Sequence, residues 1–597
     1  MIAKSWFGWC WQWQIGGCVA IFGTLLVGGG DRANAQIVPD NTLGAESSVV
    51  TPKVNIRGIQ GDQIDGGAIR GANLFHSFEQ LSVLEGRGAY FTNPAGIENI
   101  LSRVTGANRS DILGRLGVLG TANLFLINPN GIVFGPSASL DVQGSFLATT
   151  ANAVKLGDTG LFSASQPSSS NLLSVSPSAL WFNAVAAQPI VNRSQAPSLI
   201  YQPNSNNGSP GLQGQPGRTL ALVGGNVFLE SGRVTAEGGR IELGSVAGVG
   251  EVSLSQSGNN FVLGYDSINN FSNISLSNGA FADASGEGGG DVQIRGGRLE
   301  MTQSNILANT FGAENGKQIL VRATEVELRD GSFLRAEVTQ AGTGTGGDIR
   351  IDTGRLLMRD GGYISAATFG SGKGGSLQIT ATDSVEAIGS STDGRFGSGL
   401  FTDSFGSGDA GNLSINTGRL LVRDGALVSA ATRVSGKGGS LQITATDSVE
   451  VIGSSADGRF GNGLLADSFG SGDAGNLSIN TGRLLVRDGA RVSAATYGSG
   501  KGGSLQITAT DSVEAIGTSA DGRLSSGLFT DSEESGDAGD LRIDTGRLLV
   551  RDGAQVSAGT FYTGKGGSLQ ITATDSVEAI GTSADGRLSS GLFTDSE

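Results

Sequence analysis

GNLSINTGRLLVRDGALVSAATRVSGKGGSLQITATDSVEVIG, running from Gly411 to Gly453, contains two half-units of one design. The first opens Gly411-Asn412-Leu413-Ser414-Ile415 and the second Gly439-Ser440-Leu441-Gln442-Ile443. In the first, NLSIN, RLLVRDG and ALVSAAT are short alternating segments, and SLQIT, SVEVIG and GLLADS take their places in the second. Alternation over four to six residues, bounded by Gly, Asp and Ser, indicates strands. Leu413 to Leu441 is 28 residues and Leu441 to Leu477 is 36, so the longer half-unit carries a loop at Ser454-Ser455-Ala456-Asp457-Gly458-Arg459.

Outward from that stretch the pattern repeats. An Asx-Thr-Gly-Arg motif places its arginine at Arg355, Arg419, Arg483 and Arg547, and Gly-Lys-Gly-Gly places its lysine at Lys373, Lys437, Lys501 and Lys565, both 64 residues apart. Gly290-Asp291-Val292-Gln293-Ile294 with Gly297-Arg298-Leu299 reads as a degenerate earlier copy. Three strands per half-unit match one coil of a parallel β-helix. A lone coil cannot bury its inward Leu, Ile and Val, so coils stack. The fold class expected is all-β, a β-solenoid, with about eight coils after residue 346 forming a column ~40 Å long at ~4.8 Å per coil. A β-propeller would show four antiparallel strands and an aromatic mark per repeat, which these units lack.

Composition agrees. The 597 residues include 99 Gly and only 12 Pro, without collagen's three-residue period; 38% are hydrophobic and 16% charged, which suits many short strands joined by tight turns. The net charge is −15 and no basic stripe stands out, so nucleic acid is not an expected partner. His76 is the single histidine, which argues against a zinc centre or a histidine base; no cofactor, metal or catalytic residue is assigned. Gly372-Lys373-Gly374-Gly375 lacks the Ser or Thr that a phosphate loop needs after its lysine, and reads as a turn. Gly472-Asp473-Ala474-Gly475-Asn476 falls short of a calcium-binding nonapeptide.

The chain opens with Lys4, an apolar stretch from Ile15 to Val27 and Ala33-Asn34-Ala35 before Gln36, the pattern of a signal peptide cleaved between Ala35 and Gln36. The apolar stretch is short of the ~20 residues of a membrane span. Cys10 and Cys18 both lie in this leader, so the mature chain holds no cysteine, which suits a chain kept unfolded and uncrosslinked in the periplasm before a second membrane. From Ser163 to Gly217 seven prolines mark a linker-like stretch, although Leu180-Trp181-Phe182 points to packing, with Trp181 expected to be buried.

Between Gln36 and Ala151 stand Asn73-Leu74-Phe75-His76-Ser77-Phe78, Tyr90-Phe91-Thr92-Asn93-Pro94 and Ile100-Leu101-Ser102-Arg103-Val104-Thr105-Gly106. Asn123-Leu124-Phe125-Leu126-Ile127-Asn128-Pro129-Asn130-Gly131-Ile132 and Gly144-Ser145-Phe146-Leu147-Ala148-Thr149-Thr150 follow. Asn128-Pro129-Asn130-Gly131 suits a type I turn between two apolar strands. His76 reads as a satisfied structural histidine rather than a recognition residue.

This ordered set resembles the filamentous-haemagglutinin-type secretion domain of two-partner secretion exoproteins. The resemblance implies a right-handed parallel β-helix and export through an outer-membrane β-barrel transporter with periplasmic POTRA domains. It assigns transporter recognition to Asn73, Leu74, Phe75, Asn93, Pro94 and the NPNGI residues Asn128, Pro129, Asn130, Gly131 and Ile132. A second family motif, NPNL, has no clean copy; Ser176-Pro177-Ser178-Ala179-Leu180 and Asn93-Pro94-Ala95-Gly96 come nearest. The expected division is a signal peptide at 1–35, a secretion domain at 36–300 (closest match 36–151, extended to about 250) and a repeat region at 301–597. The expected function is that of a secreted, adhesin-like exoprotein at the cell surface, making cell, matrix or self contacts. The alternatives are a polysaccharide-active β-helical enzyme and the stalk of a contact-dependent toxin. The repeats stop at Glu597, the equivalent of Glu533, part-way through a unit, so a longer native chain is expected.

Overall fold

Leu413, Ile415, Leu420 and Val422 are all turned into one core, and their alternation with less buried neighbours is what makes Leu413–Arg423 a strand with one buried face. The computed structural model describes residues 37–183, 187–200, 211–258, 260–454 and 462–595. The leader with its Ala35–Gln36 cleavage site, Glu597 and most of the loop expected at 454–459 lie outside them. Each repeat coil consists of one long strand and one three-residue strand, beginning with Asp348–Arg359 and Tyr363–Ser365 and ending with Leu569–Ile580 and Gly591–Phe593. Long strands pair in parallel, Leu413 with Leu441 and Leu441 with Leu477, so the 28- and 36-residue spacings are successive coils of a parallel β-helix. Among the described residues eight long strands stack after residue 346. The short strands form a second parallel sheet, with Val428 beside Leu464.

In one respect the strands differ from the expectation. NLSIN and RLLVR are one strand, not two, joined across a bulge at which Gly418 alone faces Thr446 and Asp447. The following coil shows why glycine stands in the Asx-Thr-Gly-Arg motif: a Cβ on Gly482 would come within 2.6 Å of the Asp447 carbonyl oxygen. The Gly-Lys-Gly-Gly motif is explained in the same way. Its last glycines, Gly375, Gly439, Gly503 and Gly567, alternate with Gly411, Gly475 and Gly539 in a ladder, and a Cβ on any of them would overlap the carbonyl oxygen of the glycine one coil earlier. The motif is a stacked corner.

One apolar core runs from Ile64 to Ala558. At the N-terminal end an antiparallel layer covers it. Ile37–Pro39 and Ala68–Arg70 pair with Asn73–Leu81, and Ser48–Ile56 forms a hairpin with Ile59–Gly66, which then pairs in parallel with Gly88–Thr92. The layer occupies strand edges that would otherwise be open to pairing.

The linker-like stretch contains structure. Pro177–Phe182 is the middle strand of a five-stranded antiparallel sheet with Ala153–Leu156, Gly160–Ser163, Gly250–Ser257 and Asn260–Gly264. Leu180 and Phe182 are fully buried beneath this sheet, whereas Trp181, expected to be buried, is only partly covered because it sits on the opposite face of the strand.

Candidate functional site

The motifs of the N-terminal region are the same strand in successive coils. Asn73–Leu81, Asn99–Val104, Asn123–Ile127 and Phe146–Thr149 stack in parallel, with Leu74 beside Ile100, Ile100 beside Leu124 and Leu124 beside Phe146. These side chains point into the main core, while Phe75, Leu101, Phe125 and Leu147 point outward beneath the antiparallel sheet. Both faces are covered, which is why these segments are continuously apolar rather than alternating.

An asparagine ladder starts the rungs. Asn99 Nδ2 donates to Asn73 Oδ1 at 3.1 Å, Asn123 Nδ2 to Asn99 Oδ1 at 2.9 Å, and the Ser145 amide to Asn123 Oδ1 at 2.8 Å. Asn73 Nδ2 in turn donates to the Val175 carbonyl at 2.8 Å, tying the ladder to the loop before Pro177–Phe182.

At the other end of the rungs lies Arg103, which is completely buried. Its guanidinium donates to Ser77 Oγ, Ser170 Oγ, Thr42 Oγ1 and the Ser163 carbonyl at 2.7–2.8 Å, and it lies over the Phe162 ring. Burial lowers it to about 10, which still leaves it charged at neutral pH. Its counter-charge is Asp40, reached through hydroxyls: Ser77 and Thr42 accept from Arg103 and donate to Asp40 at 2.8 and 2.7 Å. Burial alone would raise the Asp40 carboxyl, but hydrogen bonds from Thr105, Thr42 and Ser77 hold it below its ordinary value. One network thus joins the first described strand, two rungs and the outer sheet.

The NPNGI residues make the corner after the third rung. Asn128 is fully buried, and its Nδ2 donates to the Asn108 carbonyl and to Ser110 Oγ, both at 3.0 Å. Its Oδ1 accepts the Asn130 amide at 2.9 Å, and the Gly131 amide closes the turn on the Asn128 carbonyl at 3.1 Å. Gly131 adopts φ 108°, a conformation open to glycine. Ile132 is buried and starts the next strand, Ile132–Phe134, between Ser110–Ile112 and Ile190–Asn192. What the corner shows to solvent is Asn130, with Ala107, Asn108 and Arg109 beside it.

The other expected recognition residues are not gathered there. Asn73 and Leu74 are buried, and Phe75 packs edge-on to Phe162 at 4.9 Å. Asn93 and the exposed Pro94 form a turn after Gly88–Thr92, closed by the Ile97 amide on the Pro94 carbonyl at 3.2 Å, at a different corner of the coil from Asn128. Of the two NPNL candidates, Pro177 to Leu180 are strand residues of the outer sheet. Among the described residues no group of three or more His, Cys, Asp or Glu could hold a metal, and no helix is long and apolar enough to cross a membrane.

His76 is buried against Phe91 and Phe78, with Nδ1 3.0 Å from Ser48 Oγ. Burial lowers its pKa to about 4. The folded protein therefore resists a proton that the unfolded chain takes up near 6.5, so stability falls as pH drops from about 6.5 toward 4, by at most about 3 kcal/mol. Comparing wild type with His76→Gln in urea between pH 7 and 5 checks this. The wild-type curve should fall more steeply; parallel curves would refute it.

A parallel β-helix with an antiparallel cap and a flanking antiparallel sheet is the class that fold and site define. Residues 35–294 match the family model of the TPS secretion domain. That match, over a little under half of the chain, marks this region as a secretion domain of the kind carried by two-partner secretion exoproteins, which pass an outer-membrane transporter to reach the cell surface or extracellular space. Similar solved structures include the HMW1 secretion domain from Haemophilus influenzae, at 18% identity and TM-score 0.44, covering 77% of this chain and 99% of that one. The filamentous hemagglutinin secretion domain is similar at 14% identity and TM-score 0.24, covering 64% of this chain and 98% of that one. No curated protein gives a significant match.

Proposed function

We propose that residues 36–300 are the export module, that the NPNGI corner presents it to a POTRA-bearing β-barrel transporter, and that residues 301–597 are an adhesin-like display column making cell, matrix or self contacts. The observation that carries the export reading is the split within the corner. Asn128 and Ile132 are buried and hold the turn, while Asn130 and Arg109, which is 61% exposed, face solvent and make only surface contacts, Asn130 with the Gly106 carbonyl at 2.7 Å and Arg109 with Asp111 at 2.9 Å. Exposed side chains outside the packed core are available for a partner. The column reading is supported by the repeated ion pairs on its surface. Glu386 faces Arg355 at 3.0 Å and Arg419 at 3.5 Å, and Glu514 faces Arg483 at 3.2 Å. Each carboxylate is matched by arginine in equivalent coils, an arrangement suited to a stable surface and not to a single catalytic centre.

The test separates recognition from folding. An Asn130→Ala, Arg109→Glu double variant should melt within a few degrees of wild type, yet reach the medium about tenfold less when the transporter is co-expressed. Wild-type release from the double variant would reject the corner as the contact.

A further inference from the structure

Beside the short-strand sheet, the repeat column carries a groove that no part of the export reading uses. Its cavity is about 340 Å³ and is lined by Tyr363, Phe369, Phe396, Phe401 and Phe405 together with Arg335, Arg395 and Arg433. The aromatic rings stack along the column, Phe369 on Phe405 at 4.9 Å and Tyr363 between Phe333 and Phe396 at 5.3 and 5.8 Å. Phe369, Phe405 and Phe469 nevertheless keep about 40% of their surface exposed. Rings stacked face to face turn their edges outward, and an aromatic edge is the positive rim of the quadrupole.

Glu337 and Asp403 also line the groove, but the charges that reach solvent there are mainly the guanidinium groups: Arg335 and Arg433 are 28% and 43% exposed, against 11% and 3% for the two carboxylates. The Arg335 guanidinium lies over Phe333 and Tyr363, and Arg433 sits between Phe405 and Phe469 at 5.3 and 4.8 Å from their centroids. Their nearest carboxylates are poor counter-charges. Glu337 is 3.7 Å from Arg335 and Asp403 is 3.9 Å from Arg433, both beyond hydrogen-bond reach. Both carboxylates are buried and already accept hydroxyls, Glu337 from Ser365 and Asp403 from Ser429, each at 2.5 Å. Arg335 Nε has no hydrogen-bond partner. Two coils beyond Arg433, Arg491 repeats the device over Phe529 at 4.2 Å, again with its Nε unpartnered. A chain of net charge −15 thus turns guanidinium groups toward solvent beside an aromatic-edged furrow while burying their carboxylate neighbours.

We propose that this groove binds an acidic polysaccharide, a uronate-bearing chain lying along the column with its carboxylates toward Arg335 and Arg433 and its sugar edges against the stacked rings. Arginine is suited to planar carboxylates, and its fork is held flat on the rings before the ligand arrives. Polyanions of higher charge density, such as nucleic acid, meet the repulsion of the acidic column on either side of the furrow. The proposal rests on the column being a contact surface, and it names the ligand of that surface.

Purified full-length secreted protein is titrated by calorimetry with polygalacturonate oligosaccharides, with neutral dextran and with single-stranded DNA. Polygalacturonate should bind, weaken as salt is raised, and weaken about tenfold in an Arg335→Gln, Arg433→Gln double variant whose melting temperature is unchanged. Phe405→Ser is the second variant and should also weaken binding. No polygalacturonate binding, unchanged affinity in both variants, or equal binding of dextran or DNA would each overturn the proposal. Attachment of the same proteins to cells, measured in parallel, separates the two readings. Attachment without polygalacturonate binding sinks the ligand alone, while absence of both sinks the contact surface as well.

Discussion

Replacing Arg103 with methionine is expected to destabilise the N-terminal coils by about 3–5 kcal/mol, the usual effect of removing one partner from a buried charge network. The variant leaves the Ser163 carbonyl, the Ser170 hydroxyl and the Asp40 carboxylate, held by Thr42, Ser77 and Thr105, without the cation they surround. Arg103→Lys should recover little, because one ammonium cannot reach four acceptors disposed around a planar fork. Urea unfolding of the two variants and wild type measures the effect. Because the network ties Asp40, Ser77 and Ser163 together, hydrogen exchange should show Asn73–Leu81 and Gly160–Ser163 loosening in step. A loss below about 1 kcal/mol would mean that the hydroxyls re-pair with water and that the network does not lock the cap.

The second large effect is expected at the glycine ladder. Gly439→Val places a side chain where the Gly411 carbonyl oxygen stands, so the coils on either side must separate at that corner. In a column where each coil contacts only its neighbours, a broken interface divides the unfolding unit. The variant should unfold in two transitions where wild type shows one, with a loss of about 3 kcal/mol or more at the weaker step. Gly566→Ala is the control, since its Cβ would meet nothing nearer than the Thr594 oxygen at 3.8 Å. A single unshifted transition for Gly439→Val would show that the ladder is not a close-packed contact.

The repeat column was readable from residue order because its signal is periodic: one spacing of 28 and one of 36 set the coil, and the structure stacks Leu413, Leu441 and Leu477 accordingly. The Asn128 turn was readable for a local reason, since four adjacent residues contain all its chemistry. Contacts between residues far apart in the chain were not readable. Arg103 looks in sequence like any solvated arginine, and only its meeting with Ser163 and Ser170, some 60 residues on, shows it to be buried. The asparagine ladder did leave a sign, in Asn73, Asn99 and Asn123 opening segments 24 to 26 residues apart, but it emerges only when the rungs are aligned. The outer sheet was obscured by proline and serine, because its Pro177–Phe182 strand pairs with Gly250–Ser257 some seventy residues later. The fusion of two strands across Gly418 was hidden for a similar reason: a glycine reads as a stop, yet here it answers the carbonyls of a neighbouring coil.

Export by a dedicated partner is the claim on which the rest depends. The direct measurement follows the full chain in cells with and without a co-expressed POTRA-bearing outer-membrane barrel of the two-partner type, assaying periplasm, cell surface and medium. The account predicts that the chain accumulates in the periplasm without the transporter and reaches the surface or medium with it. Release that is equal with and without the transporter, or a chain that stays periplasmic in its presence, would contradict it.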